Sequence, residues 1–141
     1  MKLYRDMVKG EDGLPILGSN TKSLGVRIPG VTVDADAMHF DTVLNEQGQV
    51  EPDNGGMSVN PPEPEDTVQG LSRRRLGEEK TVLWRIDVEV LSKYSLKFRL
   101  DPKNPDHGFI EPLETCDGSD YNENVQATQS DWEEYDASDF V

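Results

Sequence analysis

The chain has a single cysteine, Cys116, and only two histidines, His39 and His107. One thiol cannot close an internal disulfide, and this set cannot build a cysteine-based or histidine-rich metal site. Acidic residues surround Cys116 and should raise its thiol pKa, which makes it a poor nucleophile and favours a buried or merely tolerated cysteine. No apolar run approaches the roughly 18 residues that signal a membrane-spanning helix. The opening Met-Lys-Leu-Tyr-Arg-Asp lacks the apolar core of a secretory signal. The expectation is a cytoplasmic protein, with export into a target cell left to a contact-dependent machine. Positive charge is scarce as well: 14 Lys and Arg stand against 28 Asp and Glu, a net charge of −14. That argues against a nucleic-acid backbone as the main partner, because such binding rests on counterion release by Lys and Arg. A basic protein partner or a small substrate fits better.

What is present suits one domain. At 141 residues there is room for little more, and a chain of this size should bury about 68–70% of the surface its unfolded form exposes. With 34% hydrophobic and 30% charged residues, the core should be small and the surface strongly polar. Residues 2–8 alternate as an opening strand, with Leu3, Arg5 and Met7 on one face and Tyr4, Asp6 and Val8 on the other. Gly10, Gly13, Pro15 and Gly18 then mark a loop. Residues 19–27 turn strand-like towards their end, and 32–36 and 38–44 predict short strands. Asn54-Gly55-Gly56-Met57-Ser58-Val59-Asn60-Pro61-Pro62 combines a glycine turn, a brief alternating run and a proline stop. Residues 61–70 predict an exposed loop, and Ser72-Arg73-Arg74-Arg75-Leu76 supplies the one dense basic patch.

The clearest period-2 pattern runs from Thr81 to Leu91, with Val82, Trp84, Ile86, Val88 and Val90 on one face. Residues 95–100 predict a second strand, with Leu96, Phe98 and Leu100 apolar, and 107–112 a last short one closed by Pro112. Tyr121, Val125, Thr128 and Trp132 then fall at helical spacing. Asp120 and Glu123 fit a capping box that would start the helix there. Beyond Lys103 there is neither Lys nor Arg, and residues 133–141 predict an acidic flexible tail after a domain spanning 1–132. The total is an α+β pattern, mostly antiparallel, with a C-terminal helix.

Three polar residues stand on short, otherwise apolar strands: Arg5, Ser58 and Glu111, with His107 at the start of the last. An arginine offers a planar fork of donors for phosphate. A carboxylate beside a ribose can hold a hydroxyl and stabilise positive charge at the anomeric carbon. A strand hydroxyl can position either. Together they would suit cleavage of the glycosidic bond of a nucleotide such as NAD. Each also has a plainer reading, as an edge arginine, a turn serine, a solvated strand end and a loop histidine.

Leu3-Tyr4-Arg5, Gly55-Gly56-Met57-Ser58-Val59 and His107-Gly108-Phe109-Ile110-Glu111-Pro112, followed by the Tyr121…Thr128…Trp132 helix, resemble the Tse2-like bacterial toxins. These are small proteins related to ADP-ribosyltransferases and associated with interbacterial competition. The resemblance runs through nearly the whole chain in short scattered motifs. It implies a two-sheet ADP-ribosyltransferase-like core, NAD as cofactor and a cognate immunity protein or antitoxin as partner. It also implies a macromolecular target. In site terms it implies catalytic Glu111, Arg5 and His107, with Arg5, Tyr4, Gly56 and Ser58 lining the NAD cleft. The chain departs from the arginine–serine–glutamate pattern in reading Gly-Met-Ser-Val rather than Ser-Thr-Ser. It also carries Phe109 where a second Glu or Gln would stand. The competing expectation is a non-catalytic acidic binding protein, such as an immunity protein or antitoxin.

Overall fold

The computed structural model describes residues 1–61 and 81–135. In chain order it contains β1 (Lys2–Val8), β2 (Gln49–Val50), β3 (Met57–Val59), β4 (Thr81–Asp87), β5 (Leu96–Leu100), β6 (Gly108–Pro112), β7 (Cys116–Asp117), α1 (Gly118–Ala127) and β8 (Glu133–Tyr135). Short 3-10 helices at Val88–Tyr94 and Gln129–Asp131 complete it. The expected loop over 62–70, the basic patch around Arg73-Arg74-Arg75 and positions 136–141 of the expected tail lie outside the described residues.

β1 and β4 pair antiparallel along their full length, from Lys2 opposite Asp87 to Val8 opposite Thr81. Alternation sends Leu3, Met7, Trp84 and Ile86 into the main core and Tyr4 with Leu83 to the opposite face. Full burial of a side chain of this kind contributes about 1.5–3 kcal/mol relative to leaving it exposed. β8 adds to the far edge of β4, giving the order β1-β4-β8. The acidic run expected as a frayed tail therefore begins with a paired strand. Glu133 bonds to Arg85 across the pair, and Tyr135 packs edge-on against Tyr4.

The second sheet has the order β3-β6-β5, and β2 pairs with β7 as a small third sheet. All these strand pairs are antiparallel. With α1 beneath them, the expected α+β class, antiparallel pairing and C-terminal helix are observed. The two larger sheets meet at one point, where Tyr4 and Asn60 exchange both backbone hydrogen bonds at 2.8 and 2.7 Å. Beyond that pair β1 and β3 diverge.

Several local expectations are revised. The period-2 run of 81–91 leaves the sheet at Asp87, whose side chain accepts from the Glu89 amide and starts a 3-10 helix. Val88 and Val90 therefore pack from a helix rather than a strand. α1 begins at Gly118, and Asp117 at its N-cap makes no side-chain capping bond. Asp120 thus lies within the helix, and the predicted capping box does not start it. The helical stripe ends at Thr128, which caps the helix while Trp132 donates to its hydroxyl at 2.9 Å.

The strands expected within 19–44 are absent as ladders, although Leu24, Val26 and Ile28 are fully buried. Side chains satisfy much of this extended backbone instead. Asn122 accepts from Val26 N, Asp41 from Arg27 N and Thr32 from Ile28 N. A period-2 pattern specifies burial of alternate residues, and here the partners that define a sheet were replaced by side-chain acceptors.

Gly55 has φ 90°, and a Cβ there would lie 2.3 Å from the Asp41 carbonyl oxygen, whereas Gly48, at φ 76°, has open space around it. Gly48→Ala should cost about 1–2 kcal/mol from backbone strain alone. Gly55→Ala should cost about 3 kcal/mol or more, because the strain and the backbone clash add. Urea unfolding midpoints of the two variants check the difference; equal losses would mean that the 41–42 segment yields.

Candidate site on the polar face of the second sheet

Where β1 and β3 part, the gap is filled by the guanidinium of Arg5. Its Nη1 donates to the Ser58 carbonyl at 2.6 Å. Nε and Nη2 both donate to the Ser23 carbonyl at 3.2 and 2.8 Å, and Nη2 also reaches the Asn20 carbonyl at 3.3 Å. The residue is only 7% exposed. Burial pushes its pKa down to about 10, with Asp41 opposing that shift, and it stays cationic at neutral pH. All three nitrogens are thus engaged with backbone oxygen. Along the same edge of β3 the Asp41 carbonyl accepts from Gly56 N at 2.8 Å, so strand, side chain and loop follow one another down β3.

Side-chain alternation separates Arg5 from Glu111. Tyr4 is bridged to Asn60, and paired residues point to one face. Tyr4, Asn60 and Ser58 therefore share a face, and Arg5 lies on the other with Leu3 and Met7. Ser58 is paired with Phe109, which places Phe109 and Glu111 on the Ser58 face. Lys97 opposite Glu111, and Arg99 opposite Phe109, complete it. Ser58 and Glu111 are brought to one surface, while Arg5 touches it only through the Ser58 backbone.

Glu111 is the unusual member. It is 0% exposed, and an isolated carboxylate at that depth would be strongly disfavoured. Its Oε2 accepts from Arg99 Nε at 3.0 Å and from the Asp53 amide at 2.9 Å. Among the described residues Oε1 has no hydrogen-bond partner, and the cation paired with it is Lys97 Nζ at 3.6 Å. Arg99 is fixed further by its position over the Phe109 ring, 4.8 Å from the centroid, and by Asp53 Oδ1 at 3.5 Å.

The remaining expected residues fall around this centre. Gly56 has φ 145°, and a Cβ there would meet the Ile110 carbonyl oxygen at 2.7 Å and the Tyr121 hydroxyl at 3.1 Å. The space beside it is filled by protein. Tyr121 donates to the Ile110 carbonyl and accepts from Met57 N, and burial pushes its pKa well above the usual phenol range. Tyr4 packs its ring on Tyr135 at 5.3 Å between centroids. His107 sits in the β5–β6 turn, with Nδ1 3.0 Å from Asp101 and its ring edge-on to Phe109. It precedes Glu111 by four positions, roughly 13 Å along an extended chain.

A cavity of about 420 Å³ lies elsewhere, lined by Ser95, Glu114, Cys116, Asp120 and Asn124 among others, and contains none of the expected site residues. Burial and then Asp120 and Asp117 push the Cys116 thiol up. Among the described residues no group of three or more His, Cys, Asp or Glu could hold a metal ion, and no helix is long and apolar enough to cross a membrane.

Sequence reasoning missed Lys97, Arg99, Asp53 and Tyr121. The alternation of Lys97 and Arg99 with Leu96, Phe98 and Leu100 did signal a polar face. Its registration against Glu111 depends on the β5–β6 turn.

The chain matches no protein-family model and no curated protein.

Arg5→Met should remove about 2 kcal/mol or more, since the Ser23 and Ser58 carbonyls lose their donor and each buried unsatisfied group costs roughly 1–3 kcal/mol; the Asn20 carbonyl keeps the Ser23 hydroxyl. Tyr121→Phe should cost about 1–3 kcal/mol on the same ground. Denaturant titration followed by Trp fluorescence checks both; a loss under about 1 kcal/mol for Arg5→Met would show that the carbonyls find other donors.

Proposed function

We propose that the chain is an ADP-ribosyltransferase-like toxin domain that binds NAD on the polar face of the β3-β6-β5 sheet and cleaves its nicotinamide glycosidic bond. The observation that carries this reading is Glu111, a fully buried carboxylate with one oxygen anchored and the other without a hydrogen-bond partner. An acceptor held this way suits a ribose hydroxyl. Arg99 and the Asp53 amide fix Oε2, so the carboxylate need not reorganise as positive charge develops at the anomeric carbon. Nicotinamide leaves with the bonding electron pair, and a nucleophile on the macromolecular target forms the new bond to that carbon. Phe109 and Ser58 supply an aromatic surface and a hydroxyl beside Glu111.

In this reading Arg5 acts as a brace. It ties Ser58 to β1 and the 20–23 loop, and so holds β3 against the strand that carries Glu111. Gly56 lets the Ile110 carbonyl and Tyr121 approach closely. His107 orients the turn through Asp101.

A second reading rests on Arg5 itself. With its nitrogens bound to carbonyls, it has little left for a phosphate, which favours a non-catalytic acidic protein that occupies a basic partner as an immunity protein or antitoxin does. Inducible expression separates the two, because a toxin arrests growth and an antitoxin does not.

Purified protein incubated with NAD should release nicotinamide. Glu111→Gln keeps the side-chain shape and should lower that rate by about 100-fold or more, the scale of a lost charge-stabilising group in a transition state. Nicotinamide release that continues undiminished in Glu111→Gln takes Glu111 out of the mechanism.

A further inference from the structure

Resting on the NAD-binding reading, we infer that the phosphate-holding cation of the site is Lys97, and that Arg99 is the positioning residue for Glu111. The ligand class is a phosphorylated ribose, which presents a hydroxyl donor and a phosphate acceptor a short distance apart. Two observations on the face of β5 and β6 separate the roles of these neighbouring cations. Arg99 is committed three ways, through Nε to Glu111, by proximity to Asp53 and by stacking over Phe109. Moving it would leave a buried carboxylate without its nearest cation. Lys97 approaches Glu111 only at 3.6 Å, and its side chain is 38% exposed.

An ammonium group on a flexible stem, near a carboxylate oxygen but not hydrogen-bonded to it, can swing outward at little cost. That movement uncovers Oε1. The ribose hydroxyl then donates to Oε1, while Lys97 Nζ donates to the phosphate of the same ligand. A single displacement satisfies the orphaned oxygen and gives the cation a stronger partner. Arg5 is excluded from this task by geometry, because its nitrogens face the core side and end on the carbonyls of Ser23, Ser58 and Asn20.

The test is calorimetric binding of ADP-ribose, ribose 5-phosphate and inorganic pyrophosphate to the full chain, in wild type, Lys97→Gln and Glu111→Gln. Lys97 is partly exposed, so its substitution should leave the fold intact. Lys97→Gln should weaken all three ligands by roughly tenfold or more, the value of a charge-assisted hydrogen bond. Glu111→Gln should weaken ADP-ribose and ribose 5-phosphate and should not weaken pyrophosphate, because it removes the carboxylate that competes for Lys97. In nicotinamide release Lys97→Gln should raise KM with kcat held, whereas Arg99→Lys should lower kcat.

Binding of ADP-ribose that is unaltered in Lys97→Gln overturns the assignment, as does absence of ADP-ribose binding at millimolar concentration. These results are separable from the enzymatic reading. Cleavage of NAD with an unchanged KM in Lys97→Gln sinks the role of Lys97 and keeps the enzyme. Lys97-dependent ADP-ribose binding without any nicotinamide release sinks the enzyme and keeps the role of Lys97.

Discussion

A single guanidinium holds the two larger sheets together past the point where their backbones part. β1 and β3 share one hydrogen-bonded pair, Tyr4 with Asn60, and then separate. Arg5 spans the opening by donating to Ser58 on one side and to the 20–23 loop on the other. A buried cation is unfavourable without partners, and the carbonyls of an extended strand edge and a turn have few donors of their own. Each defect satisfies the other. The irregular segment from Lys9 to Gly48 is fastened through this junction and through Asp41, whose carboxylate binds Arg27 and whose carbonyl receives the Gly56 amide.

The junction has a consequence for the opposite face of the second sheet. Because β3 is fixed on its outer edge by Tyr4, Arg5 and Asp41, its inner edge can hold β6 in register from only three residues. Glu111 then emerges beneath Lys97 and Arg99 and beside the loop that supplies the Asp53 amide. The polar face combines a buried acceptor, two cations of unequal freedom and an aromatic ring. The core face beneath it is sealed by Met57, Ile110 and Tyr121. The bracing guanidinium and the buried carboxylate thus lie on opposite faces of the sheet, Arg5 below and Glu111 above.

Strands over 2–8, 81–87, 95–100 and 107–112 and the apolar stripe of α1 were legible in the residues, since burial of alternate or helically spaced side chains is a local pattern. The Gly55-Gly56 turn was legible too, although its reason is the closeness of the Asp41 and Ile110 carbonyls rather than room for a ligand. Strands over 32–36 and 38–44 were misread, because these segments turn back on residues 26–28, whose amides bind the Thr32 and Asp41 side chains instead of a ladder. Glu133–Tyr135 was misread for the converse reason. Its acidic composition suggests solvation, yet Glu133 pairs with Arg85 on the neighbouring strand and with Lys2 on the strand beyond it.

The amino-acid sequence alone determined the α+β class, the alternation that makes β1 and β4 partners for a core, and the scarcity of thiol, imidazole and positive charge. These follow from composition and short-range periodicity, which act through residues a few positions apart. Tertiary structure decided what the polar strand residues touch. Whether Arg5 meets a carbonyl, and whether Glu111 is solvated or buried with one oxygen outside any hydrogen bond, depends on pairing between segments 53 to 58 positions apart in the chain. A strand residue carries its face with it, but only its neighbours in the sheet determine what that face meets.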